Sequence, residues 1–123
     1  MIKLIFCLRR RPELSRAEFQ DYWRNQHAPL VRERAAALGV VRYVQVHTAY
    51  DDLNAVLRAG RGGPEPYDGV AELWFEDRAA MSQALETEAA QKAGAELLAD
   101  EGKFIDLANS PLWLADEHVV LRD

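Results

Sequence analysis

Cysteine occurs once in these 123 residues, at Cys7, so no disulfide can form within the chain. The fold must be held by packing, and a reducing, cytoplasmic setting is the expected one. Long apolar runs are also missing. The N-terminal stretch from Ile2 to Leu8 is too short for a signal-peptide core, and its arginines, Arg9 to Arg11, follow it instead of preceding it. Nothing approaches the roughly 18 apolar residues that span a bilayer, so no membrane partner is expected. Basic charge is scarce: the formal net charge is −5 and the isoelectric point about 5.2. The arginine triplet has no basic surroundings, so nucleic acid is not an expected partner.

Chemical signatures are as sparse. The three histidines, His27, His47 and His118, lie far apart, and no His-x-x-x-His or Cys-x-x-Cys pattern exists, so no metal site is expected. Gly60-Arg61-Gly62-Gly63 runs into Pro64, not into a helix, and cannot serve as a phosphate cradle. No Gly-x-Ser-x-Gly elbow is present, and Cys7 on its apolar strand reads as core. Acid–base chemistry without a cofactor is what remains.

The length suits one domain, residues 1–123. Charge is uneven along it. Up to Arg61, eleven lysines and arginines face six acids; from Gly62 on, four face fourteen. Such a division can mark two differently solvated faces or two surfaces that meet in an assembly.

Ile2–Leu8 reads as a strand that ends in a turn at Pro12. Ser15 and Glu18 have capping-box spacing, and Leu14 with Phe19 forms the staple pair. The pattern predicts a helix from Arg16 to Leu38, stopped by Gly39, with Phe19, Trp23, His27, Leu30 and Arg34 on one face. Pro29 interrupts it: it has no N–H for the carbonyl of Asn25 and disfavours helical backbone at Ala28, which predicts a kink or break near His27. Val40–Thr48 reads as a second strand, with Tyr43, Gln45 and His47 on one side. A long connection follows, with a turn or two of helix within Asp52–Arg58. Gly69–Phe75 is the third strand, and Glu72 and Trp74 share one of its sides. Asp77 caps a helix that passes Gly94 and ends at Gly102; an irregular stretch from Phe104 to Leu114 precedes a last strand at His118–Arg122.

This order, βαββαβ, predicts an α+β ferredoxin-like domain: a four-stranded antiparallel sheet with the helices on one face. No element remains to cover the other face. Pairing with a second copy covers it most simply, so a homodimer is expected.

Phe19-Gln20-Asp21-Tyr22-Trp23-Arg24-Asn25-Gln26-His27-Ala28-Pro29-Leu30 resembles the F-x-x-Y-W-x-x-x-H-x-P-L signature of EthD-domain proteins. Arg42–Gln45, Tyr67–Phe75 and Asp100-Glu101…Phe104-Ile105-Asp106 extend the resemblance over nearly the whole chain. It implies a dimeric α/β barrel. The wider superfamily includes cofactor-free polyketide cyclases, dehydratases, isomerases and small monooxygenases, so the resemblance bears on fold more than on reaction.

In that context His27 is the candidate catalytic residue, since imidazole exchanges protons near neutrality. The alternative is a histidine that caps the kinked helix. Tyr22 and Trp23 adjoin it, as pocket wall or as core. Tyr43, Gln45 and His47 offer polar groups for binding a small-molecule substrate, joined on the same side by Glu72 and Trp74 if the two strands pair antiparallel. The expected function is a cofactor-independent lyase, cyclase or isomerase that dehydrates, cyclises or isomerises an oxygenated aromatic or polyketide-like compound. A cofactor-free monooxygenase and a non-catalytic ligand-binding accessory protein are the rivals.

Overall fold

The computed structural model describes residues 1–123. Its elements run β1 (Ile2–Leu8), α1 (Arg16–Tyr22), a π-helical turn (Trp23–His27), α2 (Ala28–Leu38), β2 (Arg42–His47), α3 (Asp51–Arg61), β3 (Gly69–Phe75), α4 (Arg78–Glu86), α5 (Glu88–Glu101), a short 3-10 turn (Leu107–Asn109) and β4 (Leu112–Asp116). The strands form one sheet in the order β2-β3-β1-β4, with every neighbouring pair antiparallel. This is the expected ferredoxin-like α+β arrangement.

The start of α1 follows from its local chemistry. The Ser15 hydroxyl accepts the Glu18 N–H at 3.1 Å, and the Glu18 carboxylate accepts the Ser15 N–H at 2.9 Å. Leu14 packs against the core cluster that contains Phe19. Ser15→Ala should lower stability by about 1 kcal/mol, read as a shift in the denaturation midpoint.

The helix is interrupted at His27 as expected, but not by non-helical backbone at Ala28. Ala28 keeps helical angles, φ −55° and ψ −42°, and its N–H reaches back five residues to the carbonyl of Trp23. The chain answers the missing proline N–H by widening one turn, not by leaving the helical region. Beyond it, the single C-terminal helix expected is two: Thr87 has extended backbone, ends α4 and caps α5 through its hydroxyl.

The last strand lies at 112–116, not at His118–Arg122. Its register runs from Phe6↔Leu112 to Ile2↔Asp116, at the first residue of β1. Nothing is left to pair with the later residues, and Val120 is 94% exposed. The Cys7 N–H bound to the Pro111 carbonyl, and the Ser110 hydroxyl accepting the Arg9 N–H, fix this register upstream.

Candidate active site

Register decides which side chains can meet. Tyr43 stands opposite Leu73 and Gln45 opposite Ala71, on the face toward the helices; Glu72 and Trp74 stand opposite Val44 and Arg42, on the other face. The sequence expectation that Glu72 and Trp74 could join Tyr43, Gln45 and His47 is therefore corrected by one residue of strand parity. Glu72 binds Lys3 at 3.0 Å, and Trp74 lies beneath the Lys3 and Arg42 cations, 4.6 and 4.5 Å from its ring centre.

On the helix side a cavity of about 200 Å³ opens between the sheet and the helices. Phe6, Leu73 and Phe75 from the sheet, and Val31, Met81 and Leu97 from the helices, form much of its wall; the residues on it that carry polar groups include His27, Glu101 and Tyr43. Gln45 and His47 do not reach it. The Gln45 amide donates to the Trp23 carbonyl at 2.9 Å and to the Tyr43 hydroxyl at 2.8 Å, and its oxygen accepts from His47 Nε2 at 2.8 Å. His47 stacks on Trp23, centroids 4.4 Å apart. These residues support the wall from behind, and the carbonyl they hold is the one the widened turn also uses.

Trp23 is 1% exposed and lines the cavity itself. It fits because Gly69 has no side chain: a Cβ there would sit 2.7 Å from Trp23 Cη2 and 2.9 Å from the Val46 carbonyl oxygen. Gly69→Ala should cost about 1–3 kcal/mol, as overpacking does, and should blue-shift or broaden Trp23 emission. An unchanged melting midpoint would show that the indole is free to move.

His27 is 5% exposed, and its Nδ1 lies 2.7 Å from Asp100 Oδ2. Asp100 Oδ1 accepts the Tyr22 hydroxyl at 2.6 Å, and Lys103 Nζ is 3.6 Å away. Burial opposes ionisation of Asp100, but the bonds from Tyr22 and His27 outweigh it and hold the carboxyl below its usual range. Burial also pushes His27 below the ordinary imidazole value, against the pull of Asp100. The resulting pair is a neutral imidazole donating through Nδ1–H to a carboxylate. Its other ring nitrogen has no protein partner, and since no buried side-chain nitrogen or oxygen is unsatisfied, that atom is open to the cavity. Burial, with the Asp100 bond, pushes Tyr22 up to about 12, so its phenol stays a donor. Tyr22 thus belongs to the support of His27, not to the cavity wall.

Asp100 and Glu101 carried only a motif match in the sequence. A physical signal was nevertheless there. Two acids close α5, where the helix dipole disfavours negative charge, so something other than helix stability holds them in place. Asp106, which enters the resemblance by position alone, serves a turn: its carboxylate accepts the Asn109 side chain and its carbonyl the Ser110 hydroxyl.

The EthD domain model matches residues 11–108, which takes in His27, Asp100 and Glu101. The chain belongs to the EthD family. Among solved structures, an EthD-family protein of Bacillus halodurans C-125 superposes with a TM-score of 0.64 at 22% identity, over 96% of this chain and 99% of that one. SnoaB, a cofactor-independent oxygenase of Streptomyces nogalater, gives 0.53 at 16% identity over 99% and 97%. A dimeric ferredoxin-like protein of unknown function from Jannaschia sp. CCS1 gives 0.57 at 15% identity over 94% and 98%. No curated protein matches the chain. At these identities the structures show a shared fold. No helix is long and apolar enough to cross a membrane.

Proposed function

We propose that this EthD protein binds a small ring-bearing organic molecule in the cavity and moves protons on it without a cofactor, in a dehydration, cyclisation or isomerisation. The observation that carries this reading is the His27–Asp100 pair: a neutral imidazole, fixed at Nδ1, with its free nitrogen on an apolar cavity. Nε2 is the base that takes a proton from substrate carbon or oxygen. Asp100 holds the tautomer and stabilises the imidazolium that forms, and Tyr22 holds Asp100. The apolar wall, by its low polarity, strengthens each of these interactions. The chain works as a homodimer in this reading, supported by its uncovered sheet face and by the dimeric state named for the Jannaschia protein of the same fold.

The same base would serve an oxygenase, the activity named for SnoaB, if the carbanion it generates reacted with oxygen. One assay separates these readings. Oxygenated aromatic compounds are screened by thermal shift, and each one that stabilises the protein is incubated with it while oxygen uptake and product mass are followed. Product of unchanged mass or mass less one water, without oxygen uptake, is expected. Stoichiometric oxygen uptake would favour the oxygenase, and binding without any product would leave a carrier.

A further inference from the structure

The cavity holds a carboxyl group that the His27 chemistry does not use. Glu101, the last residue of α5, lines the cavity together with His27 and Tyr43, and no lysine or arginine does. Asp100 is spent on Tyr22 and His27. The Glu101 carboxyl has no hydrogen-bond partner or counter-ion of its own; burial and the neighbouring Asp100 charge push it up to about 7. The ionisable groups around it are His27 from the π-helical turn, Tyr43 from β2 and Asp100 from its own helix. Past the helix end, Lys103 lies against Asp100, while Arg11 is held by Glu13 and the Gly102 carbonyl.

A ligand entering this cavity meets apolar walls and a net excess of acid. A carboxylate would find no cation to replace its lost water and would stand beside Glu101 and Asp100, an arrangement whose cost grows as the dielectric falls. A neutral carbonyl or hydroxyl compound meets no such penalty. The carboxylic acid form of Glu101 can donate a hydrogen bond to it, as a raised-pKa carboxyl does where an oxygen must be polarised. We propose that Glu101 is a specificity residue that acts as a charge filter: the site takes neutral oxygenated ring compounds, hydrogen-bonded by the Glu101 carboxyl, and turns away their carboxylates. This rests on the reading of the cavity as a ligand site.

Naphthamide and naphthoate test it, having nearly the same shape and differing in charge. Calorimetric titration of the intact protein from about pH 5.5 to about pH 8.5 brackets the Glu101 value. Naphthamide should bind across the range. Naphthoate should bind roughly tenfold or more weakly at the alkaline end, with the gap narrowing as Glu101 gains its proton. Glu101→Gln, which keeps the shape and removes the charge, should abolish the step centred near the Glu101 value; any pH dependence left belongs to His27. If the variant is unstable, the wild-type profile with a carbon-13 titration of the Glu101 carboxyl decides the point. Equal affinity for amide and carboxylate at all pH values would overturn the filter and leave the cavity a ligand site. Failure of both to bind would remove the cavity reading, and the filter with it.

Discussion

His27→Ala should lower turnover by about 10²–10⁴-fold, the usual contribution of a general acid or base. The expectation comes from geometry. Nδ1 is committed to Asp100 at 2.7 Å, so Nε2 is the atom left to exchange a proton in the cavity. The competing role is structural, because the same bond ties the π-helical turn to the end of α5. Removing the ring leaves Asp100 buried with Tyr22 and Lys103 as its remaining partners, which costs stability whatever the residue does in turnover. Rate per folded molecule separates the two roles. The wild-type rate should fall on the acid side as Nε2 is protonated, below the ordinary imidazole value because burial lowers it. If Glu101 supplies the acid form, the rate should also fall on the alkaline side, through about 7. A His27→Ala protein that folds and turns over at the wild-type rate would remove His27 from the mechanism.

The parts of the fold that sequence revealed are those carried by local chemistry. Ser15, Glu18, Leu14 and Phe19 lie within one turn and a half, and their roles follow from spacing alone. His27 stood out because Pro29 sits two residues away on a helix otherwise well formed. What sequence could not supply was parity and register. Glu72 and Trp74 alternate correctly along β3, yet only the pairing Arg42↔Trp74 says which face they occupy. The last strand was misplaced for the same reason: His118–Arg122 has strand-like composition, but the pairing with β1 stops at Ile2, the first residue of β1, opposite Asp116.

Asp100 shows a further limit. It lies 73 residues from His27, and the 2.7 Å bond between them exists because α5 packs across the π-helical turn. Helical periodicity places an acid on a face but does not name the partner across the gap. The misfit of acids at a helix C-terminus is the signal that bears on it.

The helix-free face makes the largest demand on assembly. Ile5, Val44, Val46, Val70 and Trp113 stand on it with Cys7, and one ion cluster, Lys3 with Glu72 and Glu117, crosses it. Val46 and Trp113 are each 46% exposed, so the face is apolar without cover. Pairing of two such faces by a two-fold axis would bury them and set the ion clusters at the interface. Sedimentation at micromolar concentration should therefore give twice 13.9 kDa. Val44→Lys is the sharper test. Val44 stands directly across from Glu72, so a lysine there gains a cross-strand partner and the single sheet should tolerate it. In a dimer the same ammonium is pressed into an apolar contact, at a cost of about 2–5 kcal/mol, or roughly 30-fold or more in Kd. The variant should fold with helix and sheet content intact and sediment with the mass of one chain. A wild-type protein that is monomeric at this concentration would refute the interface, and a Val44→Lys protein still dimeric would move it to another surface.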